Sequence, residues 1–90
     1  PDLERFPCLK LCYQAMRAGG SACIALNAAN EIAVEAFLQN KIAFTAISGL
    51  IEHVLEEITI TNTNTLDEIL SADQSARDVA RSHINHLQAV

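Results

Sequence analysis

Basic side chains are scarce in this sequence, with 6 Lys and Arg against 11 Asp and Glu and a formal net charge of −5. A negative chain with scattered basic residues lacks the electrostatic footprint that nucleic acid or an anionic membrane surface requires. Long hydrophobic runs are absent too. The longest uncharged stretch, Ala18 to Asn30, is thirteen residues that include two Gly and two Asn. A membrane span needs about 20 apolar residues, so none fits. Tryptophan is missing, and only Phe6, Tyr13, Phe37 and Phe44 are aromatic. Three glycines and two prolines stand against fourteen alanines. Half of the 90 residues are hydrophobic and 19% are charged, globular values that exclude wholesale disorder. One small domain with a modest core is expected. No basic segment followed by an apolar one opens the chain, which predicts a cytoplasmic protein without a secretory signal. The chain starts at Pro1 and its single Met is Met16, so we expect a piece of a longer protein.

Cysteine is sparse and odd in number: Cys8, Cys12 and Cys23. That argues for reduced thiols rather than a disulfide framework. Cys8 and Cys12 would share a helix face, but zinc sites usually want a second pair. The expected role of Cys8 and Cys12 is that of small core-facing hydrophobes, and all three cysteines read as ordinary packing residues.

Alternation of period two is absent as well, whereas helical spacing recurs. Pro7 suits a first helical turn, and Leu9, Cys12, Tyr13 and Met16 follow at helical intervals until Gly19-Gly20 ends the segment. Ser21 is the expected N-cap of a second helix, Ala22 to Gln39, ending near Asn40. Ala22, Ala25, Ala29, Ala33 and Ala36 form a small-residue stripe on it, along which another helix could approach closely. Asn27, Asn30 and Glu31 cluster on the other side, continued by Val34 and Leu38. Neither face reads as a solvated surface, so this helix should be central. Thr45 is the expected cap of a third helix, on which Ile47, Leu50, Ile51, Val54, Leu55 and Ile58 make one apolar stripe. Thr59 to Asn64 reads as a connecting loop. Thr65 and Glu68 then have capping-box spacing and open a short helix bearing Leu66, Ile69 and Leu70. Asp73 is the expected cap of a last helix, with Ala76, Val79, Ala80, His83, Ile84 and Leu87 inward. The expected fold is all-α, a four-helix bundle with one extra short helix.

No catalytic constellation stands out. His53 lies among Glu52, Glu56 and Glu57, but the Glu-x-x-His spacing of carboxylate-bridged metal bundles does not occur, so a solvated acidic face is expected. His83 and His86 are three apart and have no evident third metal ligand. They read as one inward and one outward histidine near a helix C-terminus. Gly19-Gly20-Ser21 lacks the rest of a phosphate-binding loop, and no strand precedes it.

Three segments are more specific than their composition: Phe6 to Leu11 (FPCLKL), Ala25 to Leu38 (ALNAANEIAVEAFL) and Ile42 to Ile47 (IAFTAI). Together with Leu66 to Leu70, Asp73, Ala76-Arg77 and Val79-Ala80, they make the chain resemble the C-terminal domain of the 1-deoxy-D-xylulose 5-phosphate reductoisomerase family. The resemblance runs through essentially the whole chain, and LNAANE from Leu26 to Glu31 is its most specific part. It implies an N-terminal domain that binds NADPH, a central domain that holds a divalent metal (Mg or Mn) and the sugar phosphate, and a C-terminal helical bundle supporting both. It also implies a homodimeric parent that forms 2-C-methyl-D-erythritol 4-phosphate on the non-mevalonate isoprenoid route. The family's catalytic, cofactor-binding and metal-binding motifs do not occur in these residues, so none of those roles is carried over. The chain alone is expected to be inactive and to bind neither NADPH nor metal.

On this reading residues 1–6 are a linker from the upstream domains and residues 7–90 the helical domain. The competing readings are a stand-alone helical interaction module, which would dock a partner protein through the alanine stripe, and a ligand-sensing appendage using the Asn27/Asn30/Glu31 face. That face itself admits two roles. Its polar groups find their partners within the domain, or they meet the catalytic domains and fix how the bundle docks.

Overall fold

The computed structural model describes residues 7–88, so the expected linker over residues 1–6 lies outside the described residues. Four α-helices and one 3₁₀ turn account for the architecture, with no strand among the described residues: α1 (Pro7–Ala18), α2 (Ala22–Leu38), the turn Phe44–Ala46, α3 (Ile47–Glu57) and α4 (Leu66–Gln88). The all-α expectation stands. Helices α2 and α3 form the centre, each packed against both α1 and α4.

The packing at that centre follows from side-chain size. Ala22, Ala25, Ala29, Ala33 and Ala36 of α2 are all buried. Most of them share one core cluster with Leu50, Ile51 and Val54 of α3 and with Ala76, Ala80 and Ile84 of α4. Side chains this short let helix axes approach closely, and any added methylene would have to be accommodated by moving backbone.

Helix ends show where local signals held and where tertiary partners overrode them. Thr65 makes its capping box in full: the Thr65 amide donates to Glu68 Oε1 at 3.1 Å, and the Glu68 amide donates to Thr65 Oγ1 at 3.1 Å. Helix α2 ends as expected, with Asn40 in the left-handed region (φ 60°) and the Lys41 amide reaching back to the Ala36 carbonyl at 2.8 Å.

Ser21 does not cap α2. Its backbone is already helical (φ −79°, ψ −4°), and its buried hydroxyl accepts from the Thr61 amide at 2.9 Å, while the Ser21 amide donates to the Thr61 carbonyl at 3.0 Å. The irregular α3–α4 connection offers Thr61 no ladder partner, and Ser21 supplies both. The preceding residue must be glycine: Gly20 has φ 53°, and a Cβ there would stand 2.5 Å from the Thr61 carbonyl oxygen.

Thr45 does not cap α3 either. It lies inside the 3₁₀ turn, whose tight Ala46 amide to Ala43 carbonyl bond (3.0 Å) leads the chain into the helix. Asp73 is likewise interior. No glycine or proline interrupts Leu66–Gln88, so the expected short helix and the last helix are one, and the Asp73 carboxylate is engaged by Arg77 one turn on.

The apolar stripes at the periphery also differ from expectation. Helix α1 turns Leu11 and Ala15 inward and leaves Tyr13 and Met16 exposed. Leu66, Ile69, Leu70 and Leu87 are exposed on α4, whose core contact is made by the buried Ala76, Ala80 and Ile84 and the partly buried Val79. The cysteines are not core residues: Cys8 and Cys23 are exposed and Cys12 is half-buried, all three as free thiols. Cys23 falls on the outer face of α2, which explains its exposure.

Candidate docking face and histidine cleft

Only four of the seventeen residues of α2 are polar or charged: Asn27, Asn30, Glu31 and Glu35. Its outer face is therefore as unusual as its inner one. At 100° per residue, Cys23, Asn27, Asn30, Val34 and Leu38 fall on one stripe opposite the alanines, and all five are exposed. Leu38 is 72% exposed and Val34 37%. At the edge of the stripe Phe37 holds Phe44 edge-to-face, with ring centroids 5.6 Å apart and planes at 69°. Phe44 is itself 70% exposed, so the apolar outcrop continues from α2 into the 3₁₀ turn.

The structure separates the three polar residues singled out from the sequence. Glu31 has a partner inside the domain: Arg77 Nη2 of α4 donates to Glu31 Oε2 at 3.0 Å. The same guanidinium bonds Asp73 through Nε to Oδ2 at 2.8 Å and through Nη2 to Oδ1 at 3.3 Å. Bonds first to Asp73 and then to Glu31 raise the Arg77 pKa further above its already high range, so the guanidinium stays charged. Glu31 thus ties α2 to α4, whereas Asn27 and Asn30 stand exposed among the apolar residues of the outer stripe.

A second feature joins residues that the sequence presents separately. His53 of α3 and His83 of α4 stack with ring centroids 3.9 Å apart and planes at 19°. His86 follows at 6.4 Å from His83. The three rings line an open cleft together with Glu57, Asp78, Val79 and Ser82. Burial, then the proximity of His53 and of His86, holds the His83 pKa below the ordinary imidazole value. The available signal was the packing of the third apolar stripe against the last one, which sets His53 beside the His83/His86 pair.

The residue set does not fit the cofactors implied by the resemblance. Among the described residues no group of three or more His, Cys, Asp and Glu could hold a metal ion. Stacked rings also point their nitrogen lone pairs along parallel planes rather than toward a common centre. Nor does any strand precede a glycine-rich turn among the described residues, the arrangement that dinucleotide binding requires. No described helix is long and apolar enough to cross a membrane.

Comparison with known proteins places the whole bundle in one family. The family described as "DXP reductoisomerase C-terminal domain" matches residues 1–79. The 1-deoxy-D-xylulose 5-phosphate reductoisomerase of Cupriavidus necator is 53% identical over 89 residues, which cover 99% of this chain and 23% of that protein. That of Nitrosomonas eutropha is 51% identical over 85 residues, 94% of this chain and 21% of that protein. Among solved structures, a reductoisomerase in complex with magnesium superposes with a TM-score of 0.90 at 43% identity, covering 98% of this chain and 24% of that one. The Zymomonas mobilis enzyme in complex with NADPH gives 0.88 at 39% identity, covering 93% and 22%. The chain spans between a fifth and a quarter of the length of these relatives. It belongs to the DXP reductoisomerase C-terminal domain family.

Proposed function

We propose that this chain serves as the C-terminal helical domain of an NADPH-dependent reductoisomerase that converts 1-deoxy-D-xylulose 5-phosphate to 2-C-methyl-D-erythritol 4-phosphate. Its role there is to support the catalytic domains rather than to supply reacting groups. Residues 1–6 lead in from those domains, and residues 7–90 form the bundle. A homodimeric parent in the cytoplasm belongs to the same reading.

The observation that carries it is the match of nearly the whole chain to the C-terminal portion of reductoisomerases at about half identity. The physical counterpart is α2. A helix apolar nearly all round belongs inside a larger body, yet this domain covers one side of it only. The open side carries Asn27 and Asn30 amid Val34, Leu38 and Phe44. Apolar anchors with interspersed amides suit an interdomain contact, the amides fixing register and the apolar side chains supplying the energy. Glu31 steadies the face from within through Arg77. NADPH and a divalent metal are assigned to the upstream domains on this reading, since among the described residues no group of three or more His, Cys, Asp and Glu could hold a metal ion and no strand leads into a glycine-rich turn.

A graft tests this. The matching C-terminal region of the Cupriavidus necator relative is replaced by this chain, and NADPH oxidation is followed on addition of 1-deoxy-D-xylulose 5-phosphate. The expected result is turnover in the chimera and none in the relative truncated before the same region. A chimera that folds but is as inactive as the truncated protein overturns the proposal.

A further inference from the structure

All three histidines of the chain gather in one cleft, although His53 is thirty residues from His83 in sequence. His53 comes from α3 and His83 and His86 from α4, so the stack bridges two helices that also share the hydrophobic core. We propose that these stacked rings form an acid-sensitive latch, which holds α3 against α4 while the imidazoles are neutral and loosens when they take up protons.

Two neutral rings with centroids 3.9 Å apart and planes at 19° lie flat against one another. Two imidazolium rings in the same places would repel at short range, with part of the interaction shielded from water. The cleft is lined from α3 and α4 alone, and the other charged groups facing it are Glu57 of α3 and Asp78 of α4. Those carboxylates favour the charged rings. Burial of His83 and its histidine neighbours oppose them, and the balance holds His83 below its ordinary value.

The sign follows from proton uptake. The unfolded chain binds a proton at His83 at a pH where the folded chain still resists it, so stability is full above the ordinary imidazole pKa of about 6.5 and declines as pH falls through it. Carboxylates titrate lower, near pH 4, which leaves the window from 7.5 to 5.5 to the histidines.

Urea unfolding of the chain at pH 7.5 and 5.5 tests the latch. The expected result is a lower midpoint at pH 5.5, with most of that difference abolished in His83→Gln. Equal midpoints at the two pH values, or a His83→Gln variant that keeps the full difference, overturn it. A second measurement needs no variant: the His83 ring signals of the unmodified chain are followed by NMR across the same range. Titration below 6.5, with shifts spreading to the α3–α4 contact, supports the latch; titration at or above 6.5 contradicts it.

Discussion

On its inner side α2 presents Ala22, Ala25, Ala29, Ala33 and Ala36, all buried; on its outer side it presents Cys23, Asn27, Asn30, Val34 and Leu38, all exposed. Neither side has the charged composition of a helix surface facing water. The inner side has small side chains because three other helices crowd against it. The outer side mixes amides with large apolar groups, a composition suited to a partner that is itself polar in places. The contrast teaches that exposure in an isolated domain and suitability for solvent are different properties. A helix apolar on most of its circumference, in an environment only half interior, has a composition suited to a body larger than the domain.

Crowding on the inner side gives the largest expected effect. Ala29 is fully buried within the α2, α3 and α4 cluster, so Ala29→Leu should destabilise the chain by about 3 kcal/mol, at the upper end for overpacking. Chemical denaturation measures this, and a loss below about 1 kcal/mol would show that the helices have more room than the structure gives them. Next comes the tie at the end of the inner side, where Ser21 meets Thr61. Ser21→Ala leaves the Thr61 amide without the hydroxyl that now accepts from it at 2.9 Å, and should cost about 2 kcal/mol. Amide exchange at Thr61 should accelerate in step; unchanged exchange would mean that water replaces the hydroxyl without loss.

The same contrast explains how much was legible in the sequence. The alanine stripe, the Ile47 to Ile58 stripe and the Thr65 capping box depend on neighbours within a turn or two, and each took its expected place, Leu55 and Ile58 at the margin of the core. Ser21, Thr45 and Asp73 are all good capping residues, yet none caps, because their partners are set by other features: a loop forty residues away, a 3₁₀ lead-in and an arginine one turn on. Chain chemistry names the residues able to cap, but only the assembled fold decides which of them are left free to do so. Tyr13, Met16 and Leu87 failed as core residues for a related reason. Periodicity locates an apolar face, but the area available to cover it is a property of the whole body. At the candidate face, Asn27, Asn30 and Glu31 were legible as a cluster, while the engagement of Glu31 by Arg77 required knowing that α4 passes beside α2. Of the histidine cleft only the His83/His86 pair was legible, since the addition of His53 depends on how α3 packs against α4.

The outer face gives the smallest effect in the chain alone and the most telling one in a full-length protein. Because Asn27 and Asn30 are exposed, the double substitution Asn27→Ala/Asn30→Ala should change the stability of this chain by no more than about 0.5 kcal/mol. Placed in the chimera with the upstream domains of the Cupriavidus necator relative, the same pair should leave buried polar groups unmatched at the interface, at about 1–3 kcal/mol each. The decisive measurement is therefore thermal unfolding of the double variant in both settings. The account predicts an unchanged melting temperature for the chain and a clear drop, with loss of NADPH oxidation, for the chimera; equal effects in the two, or none in either, would contradict it.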